Sequence, residues 1–123
     1  MAAKIKITEN AEKNLAVIQP KGNFIGGDET DELRDAIKSL SENGNKKLVI
    51  DLGDVLYLNS TALGVLISAH ANYTKREGKV VVCQLNKNLE NLFVITKLAL
   101  IFDSYHSLEE ATESFNWFLN KSN

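Results

Sequence analysis

The densest run of chemically capable side chains is Asn59-Ser60-Thr61, followed closely by the small residues Ala62 and Gly64. It stands where a short apolar stretch, Val55 to Leu58, gives way to helical periodicity, so it falls at the start of a predicted helix. A helix start carries unpaired amides and the positive end of the helix dipole. The same groups that accept a capping hydroxyl can accommodate a phosphate, which suits Ser60 to reversible phosphorylation, with Thr61 as a second candidate. Asn59, Ser60 and Thr61 are equally good capping or turn residues with no further role. Spacing alone leaves both readings open. Ala62 and Gly64 would thin the helix surface and let a partner approach closely.

Other chemistry finds less support. No G-x-S-x-G elbow surrounds Ser60. His70 lies ten residues further along the same predicted helix, roughly 15 Å away by helix rise, too far to serve as its base. His106 could reach Ser60 only through a tertiary coincidence, so an enzyme is not expected. Cys83, the one cysteine, sits inside VVVCQL and reads as a buried small hydrophobe. Asp51 and Asp54 lack a third ligand at convincing spacing and read as turn residues. Gly26-Gly27 makes no complete phosphate-binding loop. Neither a cofactor nor a metal is expected.

The elements that must position Ser60 follow from periodicity. Lys4 to Thr8 alternates and Leu15 to Ile18 is apolar, which together predict a hairpin closed near Asn14. A glycine-rich loop is expected from Pro20 to Thr30. A helix follows, capped by Asp28 or Thr30, with Leu33, Ala36, Ile37 and Leu40 inward and Gly44 at its end. Lys47 to Leu52 and Lys79 to Leu85 have continuous apolar centres, as interior strands do. Between them the Ser60 helix carries Ala62, Val65, Leu66, Ala69 and Tyr73 on one stripe, widened by Leu63 and Ile67, and closes at Gly78. A short helix is predicted over 88–95, a minimal edge strand over 100–102, and a last helix opened by the Ser107–Glu110 capping box. Strands separated by helical crossovers imply an α/β domain whose mixed, mostly parallel sheet has four to five strands, with about four helices.

The 123 residues suffice for one domain spanning 1–123 and are too few for two independent cores. Fourteen basic against sixteen acidic side chains leave no electrostatic footprint for direct nucleic-acid binding. The first residues, MAAKIKITENAEK, lack the apolar core of a secretory signal, and no apolar run is long enough for a bilayer. A cytoplasmic protein without membrane contact is therefore expected. Trp117 and Phe118 give the last helix more apolar surface than one stripe buries, which leaves a monomer or a weak homodimer open.

The segment DLGDVLYLNSTALGVL resembles the signature of the STAS domain, specifically the bacterial anti-sigma factor antagonists. In that family a strand ending in Asp-Leu precedes an Asp-Ser-Ser/Thr-Gly-Leu-Gly stretch that opens a helix. Asp51-Leu52 and Asn59-Ser60-Thr61-Ala62-Leu63-Gly64 occupy those places. The likeness continues through EGKVVVCQLNKNLENLFVITKLALIFDSYHSLEEA and covers essentially the whole chain.

The resemblance implies a non-enzymatic switch. The unphosphorylated domain would bind an anti-sigma factor that is also a serine kinase, releasing the sigma factor. Phosphorylation at Ser60 would block that contact, and a PP2C-type phosphatase would restore it. The loop between second strand and first helix would lie beside Ser60 and share the partner surface through Asn23, Phe24 and Asp28, with Phe24 either exposed to the partner or anchoring the loop. Asn59, Thr61, Ala62 and Gly64 complete the expected contact set. Two residues depart from the family pattern: Asn59 replaces an acid, and Ala62 replaces a glycine, adding a methyl where partner or phosphate would need room. A constitutive STAS adaptor or scaffold, not switched by phosphorylation, is the alternative.

Overall fold

The computed structural model describes the backbone of residues 4–122 and the side chains of residues 4–116. Strands β1 (Lys4–Asn10) and β2 (Leu15–Phe24) form an antiparallel hairpin, with Asn14 in the left-handed region at φ 53°. Asparagine is among the few residues that visit this region readily. The loop expected from Pro20 onward begins later, because β2 runs on to Phe24. On the way it changes parallel partner. Residues 15–18 pair with β3 (Lys47–Asp51), and residues 21–24 pair with β4 (Asp54–Leu58). Pro20 falls in the gap between the two ladders, so its missing N–H interrupts neither of them.

The remaining elements are α1 (Asp28–Glu42), α2 (Ser60–Lys75), β5 (Lys79–Cys83), α3 (Lys87–Ile95), a 3-10 turn (Leu98–Leu100), β6 (Ser104–Tyr105) and α4 (Leu108–Ser122). The sheet order is β1-β2-β3-β5-β6, with β4 also paired to β2. All pairings except β1–β2 are parallel. The apolar stretch before Ser60 is thus a strand, and it raises the described strands to six. The edge strand expected over 100–102 is displaced to Ser104–Tyr105. There, Leu98 and Phe102 turn inward at helical spacing, with the Phe102 amide donating to the Leu98 carbonyl at 3.0 Å, so the apolar run closes a turn instead of extending.

Alternation along β3 and β5 divides the core between the two faces of the sheet. Leu48, Ile50, Val80 and Val82 face α1, α2 and α3, where most of the buried apolar residues gather, including the predicted α2 stripe from Ala62 to Tyr73. Val49, Val81 and Cys83 face α4 and pack with Leu15, Ala111 and Phe115. Burial pushes the Cys83 thiol up to about 12, with the neighbouring Asp51 adding to the effect, so it is an inert core side chain. Ser107 caps α4 as expected, with the Glu110 amide donating to its hydroxyl at 3.0 Å, while the Glu110 carboxylate turns back to accept that hydroxyl at 3.3 Å and not the Ser107 amide. The expected surplus contact of Trp117 and Phe118 lies outside the described side chains.

Gly78 follows α2 as predicted, but for a different reason. Glu77, at φ 65°, takes the left-handed position. Gly78 must be glycine because a Cβ there would lie 2.5 Å from the Lys46 carbonyl oxygen.

Candidate functional site

Because β2 and β4 are parallel neighbours, they end side by side, and the helices that follow them begin side by side. Phe24 and Leu58 close the shared register, and the Asn59 amide then donates to the Phe24 carbonyl at 3.0 Å. Asn59 caps α2: its side-chain oxygen accepts the Ala62 amide at 3.0 Å. Ser60 is the first helical residue and is exposed. No hydrogen bond within the described residues engages its hydroxyl or its amide. Thr61 is also exposed, yet it leans on the loop after β2. A Cβ at Gly26 would lie 3.3 Å from the Thr61 Cβ and 3.4 Å from the Asn59 side-chain Nδ2, and Gly26 sits at φ +88°. The positive φ favours glycine there, and the space beside it is tight.

That loop is held by a carboxylate the sequence reading did not single out. Glu29 Oε2 accepts the Ile25, Gly27 and Thr30 amides, each at 3.0 Å, and the Thr30 hydroxyl. The Thr30 hydroxyl in turn accepts the Gly26 amide at 2.9 Å. The Thr30 hydroxyl first, then the Ile25 and Gly27 amides, stabilise the charged form and hold the Glu29 carboxyl at about 2, despite the upward push of desolvation. Neither Asp28 nor Thr30 caps α1 as expected. Gly27 is the N-cap and offers no side chain, so Glu29 folds back to satisfy the amides instead.

The structure places Asn23, Asp28, Ser60 and Thr61 on the surface at this end of the sheet, with Asn59 and Gly64 partly exposed. Two members of the expected contact set must be reassigned. Phe24 is completely buried and anchors the end of β2 in the core. Ala62 is also completely buried. Its methyl points into the core, so the alanine that replaces the family glycine takes no room from a phosphate or a partner. Gly64 behaves oppositely: a Cβ there would meet nothing within 4 Å.

Three apolar residues here also escaped the sequence reading. Ile25 is 59% exposed, Leu56 67% and Tyr57 53%. Tyr57 registers beside Asn23, and Leu56 is skipped by the β2–β4 register, an irregularity that thrusts it outward. Recognising VLYL as an edge strand, unable to bury both faces, would have pointed to them.

Neighbouring groups are occupied structurally. Asp51 is buried and accepts from Gln19, from Gln84 and from the Gly53 amide, at 2.9–3.0 Å. Among the described residues no group of His, Cys, Asp and Glu side chains is placed to hold a metal ion. The His70 ring packs edge-on against Phe102, with centroids 5.5 Å apart. No described helix is long and apolar enough to cross a membrane.

Comparison with known proteins adds to this geometry. BtrV of Bordetella bronchiseptica, which carries the name of an anti-sigma factor antagonist, is 26% identical over 85 residues, 69% of this chain and 73% of its own. The anti-sigma-B factor antagonist of Listeria monocytogenes is 39% identical over 56 residues, 46% of this chain and 49% of its own, so the match spans about half of each protein. Among solved structures, the phosphorylated form of the Bacillus cell-fate determinant SpoIIAA shares the fold with a TM-score of 0.72 at 13% identity, over 91% of this chain and 99% of its own. The STAS domain family model matches residues 5–111, which takes in the sheet from Ile5 onward and the site at the start of α2. The chain belongs to the STAS domain family.

Proposed function

We propose that the chain is a partner-switching protein of the anti-sigma factor antagonist kind, with Ser60 as its phosphorylated residue. In the unphosphorylated state it binds an anti-sigma factor that is also a serine kinase and frees the sigma factor. Phosphate on Ser60 blocks docking, and a PP2C-type phosphatase removes it.

The observation that carries this reading is the placement of Ser60. Its hydroxyl is exposed and unbonded at the first position of α2, between the Gly26 loop and the open surface over Gly64. A kinase can reach such a hydroxyl without unfolding anything. A phosphate there adds about −1.5 to −2 charges to the end of the sheet that also carries exposed Asp28, Ile25 and Tyr57, whose burial against a partner would exclude water. Docking then fails through desolvation and charge, with the domain itself unchanged. Thr61 is the poorer acceptor, because its side chain packs on the loop at Gly26. The names of the relatives and the phosphorylated state of SpoIIAA support the same reading.

The test is recovery of the protein from its native cells with phosphatases blocked, followed by partner identification and phosphosite mapping. Phosphate on Ser60 and a bound serine kinase are expected. Ser60→Asp should weaken that binding by roughly a hundredfold or more, the scale of an unpaired charge buried at an interface. Ser60→Ala should bind normally and resist modification. Equal affinity of wild type and Ser60→Asp, or a stable partner with no phosphate under any condition, would replace the switch with a constitutive adaptor.

A further inference from the structure

We propose that the corner between α3 and the 3-10 turn is a contact surface for a second copy of this chain, which pairs through it into a weak, two-fold symmetric dimer. The surface uses none of the residues around Ser60, so it stands or falls independently of the switch.

The corner is anchored from within and bare outside. Leu89, Phe93, Leu98 and Phe102 are buried and hold it against the core. The apolar residues between and beside them turn outward: Val94 is 65% exposed, Ile95 77%, Leu100 84% and Ile101 40%. Single exposed apolar residues are ordinary on a protein surface, but four within one chain reversal form a patch, and such patches mark contacts. A cavity of about 350 Å³ opens between α3 and the 3-10 turn, lined in part by Phe93, Val94, Ala99 and Phe102. Ile95 and Leu100 adjoin Val94 and Ala99 in the chain, so the same corner carries a hole and the knobs to fill one.

Charge then selects the occupant. Lys97 is the one charged residue between Phe93 and Phe102. Glu90 lies one helical turn before Val94, on the same face of α3. Both are exposed, and neither belongs to the ion pairs of the described residues, Arg34–Asp31 and Lys79–Asp103. With an acid on one side of Val94 and a base on the other, the patch is complementary to itself. A two-fold axis near Val94 runs the two α3 helices antiparallel and sets each Glu90 opposite Lys97 of the other copy. An isologous contact has this reciprocity, in which one residue meets a second and the second meets the first. A partner surface of a single charge sign would instead set a like charge against Glu90 or Lys97. The apolar patch is small beside the roughly 800 Å² per partner of a stable interface, which makes the pairing weak.

The experiment is sedimentation velocity of the full chain. Its average mass should climb from one chain toward two between roughly 10 µM and 1 mM, the range of weak association. Leu100→Glu, at the most exposed of these positions, should hold the mass at one chain throughout. Glu90→Lys and Lys97→Glu each set like charges opposite in both symmetric contacts and should weaken pairing by roughly tenfold. The double variant reverses both charges together and should restore the wild-type constant. All three positions are exposed, so the fold is not at risk. A mass of one chain at every concentration would overturn the proposal and assign the patch to a different partner. So would a dimer indifferent to Leu100→Glu, or a double variant that pairs as weakly as the single ones.

Discussion

The two ends of the sheet are built differently. At the end where the parallel strands begin, side chains tie three loops together. Asn14 accepts the Lys46 amide at 2.8 Å and donates to the Gly44 carbonyl at 3.2 Å. Tyr73 donates to Asn45 at 2.7 Å, Ser41 bonds Asn72, and Arg76 reaches the Ser41 carbonyl at 2.6 Å. Lys46 returns to the Arg76 carbonyl. The hairpin turn, the α1–β3 loop and the end of α2 thus form one clasp, and Gly78 lets the backbone close against Lys46. At the opposite end the Glu29 carboxylate, the Thr30 hydroxyl and the Asn59 cap hold the loops, and the surface there carries Ser60, Gly64, Ile25 and Tyr57. One end meets its polar and steric demands internally. The other leaves its hydroxyl, its apolar side chains and its helical glycine open to solvent.

The largest expected effect would break the clasped end. Gly78→Ala forces a methyl into the Lys46 carbonyl oxygen, which is backbone and cannot swing away. A loss of about 2–3 kcal/mol is expected in urea unfolding, at the upper end of overpacking costs. Partner affinity of the folded fraction should not change. A neutral result would show that this end is looser than its contacts indicate.

Gly64→Ala reverses the pattern at the other end. A glycine within a helix costs roughly 0.5–1 kcal/mol relative to alanine, and nothing in this chain occupies the space its Cβ would fill. The variant should therefore unfold at higher urea while binding its partner more weakly. A gain in stability with unchanged binding would remove Gly64 from the contact surface.

The smallest effect concerns Glu29. Its carboxyl lies at about 2 in the folded chain against an ordinary 4.5. A depressed value means that its contribution is complete above about 4.5 and is lost as pH falls through about 2. The Ile25 and Gly27 amides should accordingly remain protected from exchange at pH 4 and lose protection toward pH 2. A carboxyl midpoint near 4.5 by NMR would show that the loop is held by something else.

Much of this could be read from residue order, within limits set by distance along the chain. The α2 stripe from Ala62 to Tyr73 and the helix cap at Ser107 are local patterns, and they appear where periodicity puts them. The extension of β2 past Pro20 was invisible because proline and glycine ordinarily signal a loop, and only a second parallel partner, β4, makes the strand continue. For the same reason residue order leaves Phe24 open between partner contact and anchor: only once β2 runs on does its last residue fall in the core. The direction of Ala62 depended on where α2 sits over the sheet, which the motif does not encode. Glu29 looked like one of several acids at a helix start. Its role required the loop to curl until three amides met one oxygen.

Among the described residues the sheet has three incomplete edges, and each has a consequence for crowded conditions. An unpaired strand invites a second chain to add to it, a route to aggregation that competes with specific docking. β1 carries Lys4 and Lys6 along its length, β4 is irregular at Leu56, and β6 is only two residues long. Charge, distortion and brevity each make templated strand addition unfavourable. A molecule whose proposed task is to offer one surface to exchanging partners can thus accumulate without offering its backbone to copies of itself.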